Sequence, residues 1–208
     1  VTRNATTPDG QGTLMPKLEG RFDAIVIGTS AGGVEALSVL LPALPRSLRA
    51  SVFVVLHLPR DRPSLLVDIF EHRCTHRIRE AEDKEPVEPG TVYFAPPDYH
   101  LLVDRGRDRV VRVALSSDDM VHFSRPSIDV LFEAAADLYG SKLLGIVLTG
   151  GNEDGAAGLA AVRRRGGVCV VQDPDDAQAA YMPEAALKRV EPDFVLPIRQ
   201  IAELLSGL

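Results

Sequence analysis

A chain of 208 residues, 45% hydrophobic and 25% charged, is long enough and apolar enough for one domain with a sizeable core, which excludes a disordered or fibrous protein. A net charge of −6 without a long basic stripe argues against nucleic acid as partner. No apolar run approaches the roughly 20 residues of a membrane span, so membrane insertion is not expected.

The first 20 residues are polar, lack the apolar core of a secretory signal and read as a flexible tail, leaving 21–208 as a single domain. Short apolar runs then alternate with helical patterns. Phe22 to Ile27 reads as a buried strand, Val34 to Leu44 as a helix ended by Pro42 and Pro45, and Ser51 to Leu56 as a second strand. Ser64 to His72 has helical spacing, and Thr91 to Ala95 is a strand stopped by Pro96 and Pro97. Leu101 to Val103 and Val110 to Leu115 flank Arg105-Gly106-Arg107-Asp108, a hairpin signal. Ser127 to Tyr139 is a strong helix between Pro126 and Gly140. A strand from Lys142 to Leu148, a helix from Ala156 to Arg165, a strand from Val168 to Val171, and short helices over Pro183 to Arg189 and Ile198 to Leu205 complete the chain. Strands alternating with helices, most of them continuous apolar runs, predict a doubly wound, mostly parallel α/β sheet with helices on both faces. The hairpin is an antiparallel excursion from it.

In such sheets ligands bind beyond the carboxyl ends of the strands, so the residue after each strand matters most. Ser30 follows the first strand inside Gly28-Thr29-Ser30-Ala31-Gly32-Gly33, His57 follows the second, and Asp154 lies in Thr149-Gly150-Gly151-Asn152-Glu153-Asp154-Gly155. A serine hydroxyl needs a base to take its proton, and a carboxylate orients the imidazole and stabilises its charged form. Backbone N–H groups at Gly151, Gly150 and the helix start at Ala31 are candidate oxyanion donors. Each signal has a plainer reading. The glycine-rich turn is neither G-x-G-x-x-G nor a P-loop but could cradle a nucleotide. His57 could be structural, and Asp154 could cap the helix beginning near Ala156. His100 and His122 are rival histidines, Asp98 and Asp173 rival acids.

The two cysteines differ. Cys169 lies in an apolar run and reads as a small buried hydrophobe, whereas His72-Arg73-Cys74-Thr75-His76 invites a metal hypothesis that matches no common zinc spacing. No metal and no cofactor are therefore expected. Unpaired cysteines suit a reducing cytoplasm.

The chain resembles the catalytic domain of the chemotaxis receptor methylesterases, the CheB family, from about Phe22 to Leu205. The motifs that carry the resemblance are Ile-Gly-Thr-Ser-Ala-Gly-Gly at 27–33, His57-Leu58-Pro59, Tyr-Phe-Ala-Pro-Pro-Asp-Tyr-His-Leu-Leu-Val at 93–103 and Arg-Pro-Ser-Ile-Asp-Val-Leu-Phe at 125–132. Leu-Thr-Gly-Gly-Asn-Glu-Asp-Gly-Ala at 148–156, Gln-Asp-Pro at 172–174 and Met-Pro at 182–183 follow in family order. The resemblance implies a Ser30–His57–Asp154 triad, with a backbone N–H near Gly151 matching a family oxyanion donor. It also implies hydrolysis of γ-glutamyl methyl esters on the cytoplasmic helices of chemoreceptors, deamidation of particular glutamines, and a cytoplasmic location. Two departures stand out. The family loop usually reads Thr-Gly-Met-Gly where this chain has Thr149-Gly150-Gly151-Asn152, which removes a side chain near the oxyanion site and alters the turn. The phospho-receiver domain common in the family is not expected in so short a tail. A catalytically weak or inactive binding module on the same fold is the alternative that these departures leave open.

Overall fold

A computed structural model describes residues 18–59 and 63–208. The tail expected over the first 20 residues therefore lies almost wholly outside the described residues. Seven strands form one parallel sheet: β1 (Ala24–Thr29), β2 (Ser51–Leu56), β3 (Arg77–Glu80), β4 (Thr91–Phe94), β7 (Leu143–Val147), β8 (Val168–Gln172) and β9 (Phe194–Leu196). Their spatial order is β3-β4-β2-β1-β7-β8-β9. β5 (His100–Arg105) and β6 (Val111–Ser116) pair antiparallel as a separate two-stranded sheet, the expected excursion. The helices are α1 (Gly33–Leu40), α2 (Leu66–Phe70), α3 (Ile128–Tyr139), α4 (Ala156–Arg164), α5 (Tyr181–Arg189) and α6 (Ile198–Ser206).

Strand periodicity sends alternate side chains into two cores, one on each face of the sheet. Ile25 and Ile27 of β1 and Val52 and Val54 of β2 enter a core with Leu37, Leu40 and Leu205 of α1 and α6. Ala24 and Val26, with Phe53 and Val55, enter the other, with Leu131, Phe132 and Ala135 of α3 and Leu159 and Val162 of α4. The continuous apolar runs read from the sequence are the consequence, because a strand covered on both faces has no polar side.

On the second face β1 presents only small side chains, and α3 comes close. A methyl group at Gly28 would lie 2.2 Å from Ile128 Cγ2, so only glycine lets the first residue of α3 settle on the end of β1. That contact brings the amino end of α3 to the edge where Ser30 and His57 emerge. The strand order also reverses at β1: the chain runs outward through β2 on one side and through β7 on the other. Beyond the carboxyl end of β1 lies the crevice where doubly wound sheets bind ligands.

Two strands were not foreseen. β3 carries Arg-Ile-Arg-Glu, of which only Ile78 is buried, and β9 is three residues long. Both are edge strands, whose short, polar character hides them from apolar periodicity. The basic run Arg163-Arg164-Arg165 closes α4 on the surface, with Arg163 paired to Asp193 and Arg165 to Asp137.

Candidate active site

Ser30 is the first residue after β1, and its N–H donates to Thr149 O of the loop after β7 (3.0 Å). Gly33 N–H in turn donates to Ser30 O, and Gly32, at φ 78°, is the left-handed hinge into α1. A serine at a tight strand-to-helix junction is held by its backbone alone. Its hydroxyl forms no hydrogen bond with another described residue and stays available. The register pairs Thr29 with Leu56, and His57 N–H donates to Thr29 O (3.2 Å), so Ser30 and His57 leave adjacent strands side by side.

His57 Nε2 lies 2.8 Å from Asp154 Oδ2. The carboxylate accepts and the imidazole donates, so Nε2 carries the proton and Nδ1 keeps the lone pair. The structure thus joins His57 to Asp154. It places Ser30 beside them without a hydrogen bond between the serine and histidine side chains, a link that commonly tightens only when substrate is bound.

Asp154 is fully buried and receives three further hydrogen bonds, all from the start of α3: Ser127 Oγ (2.8 Å), Ile128 N (2.7 Å) and Asp129 N (3.0 Å). The acid therefore caps a helix, but α3 and not the helix that follows it. The favour is returned by Asp129 in the first turn of α3, whose Oδ1 accepts Gly155 N (2.9 Å) and Gly158 N (2.6 Å) at the start of α4. Two helix amino ends thus each hold the other segment's carboxylate, where unpaired N–H groups and the helix dipole favour negative charge. Burial pushes the Asp154 carboxyl up, but the His57 hydrogen bond and the Asp129 and Ile128 N–H groups outweigh it and hold the acid below the ordinary aspartate value. At Asp129 burial prevails, aided by the Asp154 charge, and its carboxyl lies above the ordinary value. Asp154 is the carboxylate built to stay ionised.

Ser127 and Asp129 were missed as site residues. The Pro126-Ser127 start of a helix was legible, but nothing local says that its N-cap hydroxyl also donates to an acid 27 residues away. Of the rival histidines, His100 is buried and accepts Ser127 N–H through Nδ1 (3.1 Å) while its Nε2 meets Asp119 O (3.0 Å). It braces the cap that holds Asp154. His122 lies between Asp129 and Glu153, at 3.3 Å from each. Of the rival acids, Asp98 holds the guanidinium of Arg125, and Asp173 caps a turn through Asp175 N.

The three candidate oxyanion donors separate. Gly150 N–H is spent on Ala179 O (3.0 Å), and Met182 N–H bonds back to Gly150 O, so Gly150 is corrected from donor to structural tie. Ala31 and Gly151 are exposed, and their N–H groups form no hydrogen bond with a described residue. Thr149 fixes the loop between them: its hydroxyl donates to Ala31 O (2.8 Å) and accepts Ala179 N–H (2.9 Å). The Gly151-Asn152 departure is also explained. A β-carbon at Gly151 would meet nothing within 4 Å. Asn152 lies outside the left-handed backbone region, accepts Asp154 N–H through Oδ1 (3.2 Å) and donates to Ser124 Oγ (3.3 Å). The asparagine side chain therefore ties the acid loop to the turn before α3.

The metal-like cluster does not assemble. His72 is exposed and pairs with Glu71, His76 turns both ring nitrogens to the carbonyls of Gly90 and Pro45, and Cys74 packs against the core. Among the described residues no three potential ligands converge. Cys169 is buried, and that burial pushes its thiol up to about 12. No helix among the described residues is long and apolar enough to cross a membrane.

Comparison with known proteins points the same way. The profile described as CheB methylesterase matches residues 25–205. The chain is 44% identical over 187 residues to a relative from Leptospira interrogans, covering 90% of this chain and 95% of that one. It is 36% identical over 179 residues to the protein-glutamate methylesterase/protein-glutamine glutaminase of Archaeoglobus fulgidus, covering 86% of this chain but 51% of the relative. The fold matches the crystal structure of the Thermotoga maritima CheB methylesterase catalytic domain with a TM-score of 0.84 at 33% identity, over 89% of this chain and 97% of that one. With a matching profile over nearly its whole length, relatives well above 30% identity and the same fold, the chain belongs to the CheB methylesterase family.

Proposed function

We propose that this protein is a serine hydrolase that removes methyl groups from γ-glutamyl esters on the cytoplasmic helices of chemoreceptors, and deamidates glutamines at such sites, in the cytoplasm. The observation that carries this reading is the buried His57–Asp154 hydrogen bond, set at the strand ends that also present Ser30. The domain responsible is the single unit from residue 21 to 208.

In this reaction Ser30 Oγ attacks the ester carbonyl carbon while its proton passes to His57 Nδ1. Nε2 keeps its proton on Asp154, whose ionised carboxylate stabilises the imidazolium. Negative charge develops on the carbonyl oxygen, and the Ala31 and Gly151 N–H groups, which form no hydrogen bond with a described residue, are the donors proposed for it. Donors of this kind are worth roughly 3–4 kcal/mol each. Collapse of the tetrahedral intermediate breaks the bond to methoxide, which takes the proton from Nδ1 and leaves as methanol. Water then gives a proton to His57 and attacks the acyl-enzyme. The second collapse returns the proton to Ser30 and frees the glutamate. With a glutamine substrate the first leaving group is ammonia.

The test is methanol release from a methylated chemoreceptor cytoplasmic fragment. Wild type is expected to release methanol, and Ser30→Ala to lose activity by on the order of 10⁴-fold or more. Equal release from both proteins, or none from wild type, contradicts the reading and favours a binding-only module.

A further inference from the structure

Phe123 is 96% exposed, while the next most exposed large apolar side chain among the described residues, Leu65, is at 63%. Its backbone is equally unusual. Val121 and Ser124 exchange hydrogen bonds across a tight turn (Ser124 N to Val121 O 2.8 Å, Val121 N to Ser124 O 3.2 Å). The two residues between them, His122 and Phe123, have φ of 48° and 60°. Turns with positive φ at both central positions ordinarily take asparagine, aspartate or glycine. An aromatic residue held there and turned to solvent is strained and hydrated at once, an arrangement found chiefly where function requires it.

The turn is pinned on both sides. His122 lies 3.3 Å from both Asp129 and Glu153, Asn152 donates to Ser124 Oγ, and the Arg125 guanidinium is clamped by Asp98 and the carbonyls of Ser117 and Asp118. Phe123 is thus a rigid projection from the framework that holds Asp154. It borders a cleft of about 240 Å3 whose lining includes His57, Leu58, Pro59 and Pro126. Among the described lining residues the cation, Arg125, is held by Asp98 and the carbonyls of Ser117 and Asp118, and Leu58, Pro59 and Pro126 offer apolar contact beside Phe123.

We propose that Phe123 is a specificity-determining residue: a fixed aromatic anchor that packs on an apolar side chain flanking the ester-bearing glutamate of the protein substrate. The inference rests on the proposed reaction. An exposed aromatic on a rigid support gains contact area on binding with little ordering cost, the pattern of interface anchors.

The test measures binding in a Ser30→Ala background, where substrate persists, with a methylated chemoreceptor cytoplasmic fragment as probe. Adding Phe123→Ala or Phe123→Gly is expected to raise Kd about tenfold, and Phe123→Leu less than about threefold. Phe123→Gly is also expected to raise Tm by about 2 °C, since glycine relieves the left-handed strain. Gained stability with lost binding is an outcome that a merely structural role cannot produce. An unchanged Kd, a lowered Tm in the glycine variant, no binding with Phe123 intact, or a change of oligomeric state on substitution overturns the proposal. Binding that depends on Phe123 in a protein whose wild type releases no methanol would sink the esterase reading and leave the anchor standing.

Discussion

Asp154 is sealed from solvent and takes four hydrogen bonds, whereas Ser30, Ala31 and Gly151 stand on an open lip where little but the backbone holds them. The contrast follows from what each side must do. A carboxylate that stays ionised without water needs a full set of donors, and here the start of α3 and the His57 ring supply them. In the proposed reaction Ser30, Ala31 and Gly151 must meet the substrate carbonyl, and their unspent groups suit that role.

The sharpest way to break this contrast is at its buried end. Asp154→Asn puts an amide against donors: one oxygen remains to accept, and the amide hydrogens face the N–H groups of α3 or the His57 ring. The expected result is a loss of about 3 kcal/mol of stability and on the order of 10⁴-fold in kcat, because the imidazole loses its orienting acceptor. The pH dependence has a defined sign. Asp154 has a depressed pKa in the fold, so its stabilisation is present above the unfolded value and is lost as pH falls through the folded one. Asp129, shifted upward, works oppositely: its protonation favours the fold as pH falls toward the ordinary value. Denaturant melts should show the gap between wild type and Asp154→Asn closing below about pH 4, and a constant gap would contradict the assignment of charge to Asp154.

A smaller effect tests whether the helix cap belongs to the site. Ser127→Ala removes both the cap of α3 and one hydrogen bond to Asp154. It should cost about 1–2 kcal/mol of stability and roughly tenfold in kcat. Lost stability with unchanged kcat would show that three donors suffice. The smallest effect belongs to the open lip. Gly151→Met adds a side chain where a β-carbon meets nothing, so stability should move by less than about 0.5 kcal/mol. A shift in kcat/KM of no more than about tenfold is expected with it. A large loss of stability would mean that the lip is not free.

The sequence was informative where chemistry coincides with strand ends. Ser30, His57 and Asp154 each follow a continuous apolar run, and the β1–β2 register brings the first two together as that pattern implied. It was silent where a contact joins distant segments. The capping of α3 by Asp154, which accepts from Ser127, Ile128 and Asp129, spans some 25 residues, and no local rule separates it from the nearer alternative of capping the following helix. Gly150 failed as a donor for a similar reason: its partner, Ala179, lies in a loop the sequence does not place. The edge strands β3 and β9 escaped because exposed, short or charged strands lack the apolar run that betrays a core strand.

The central claim is that Ser30 is the activated nucleophile, and a fluorophosphonate probe tests it most directly. Peptide mass mapping of the labelled protein is expected to place one adduct on Ser30, lost in Ser30→Ala and strongly slowed in Asp154→Asn. Labelling that persists in Ser30→Ala, or a folded wild-type protein that does not label at all, would contradict it.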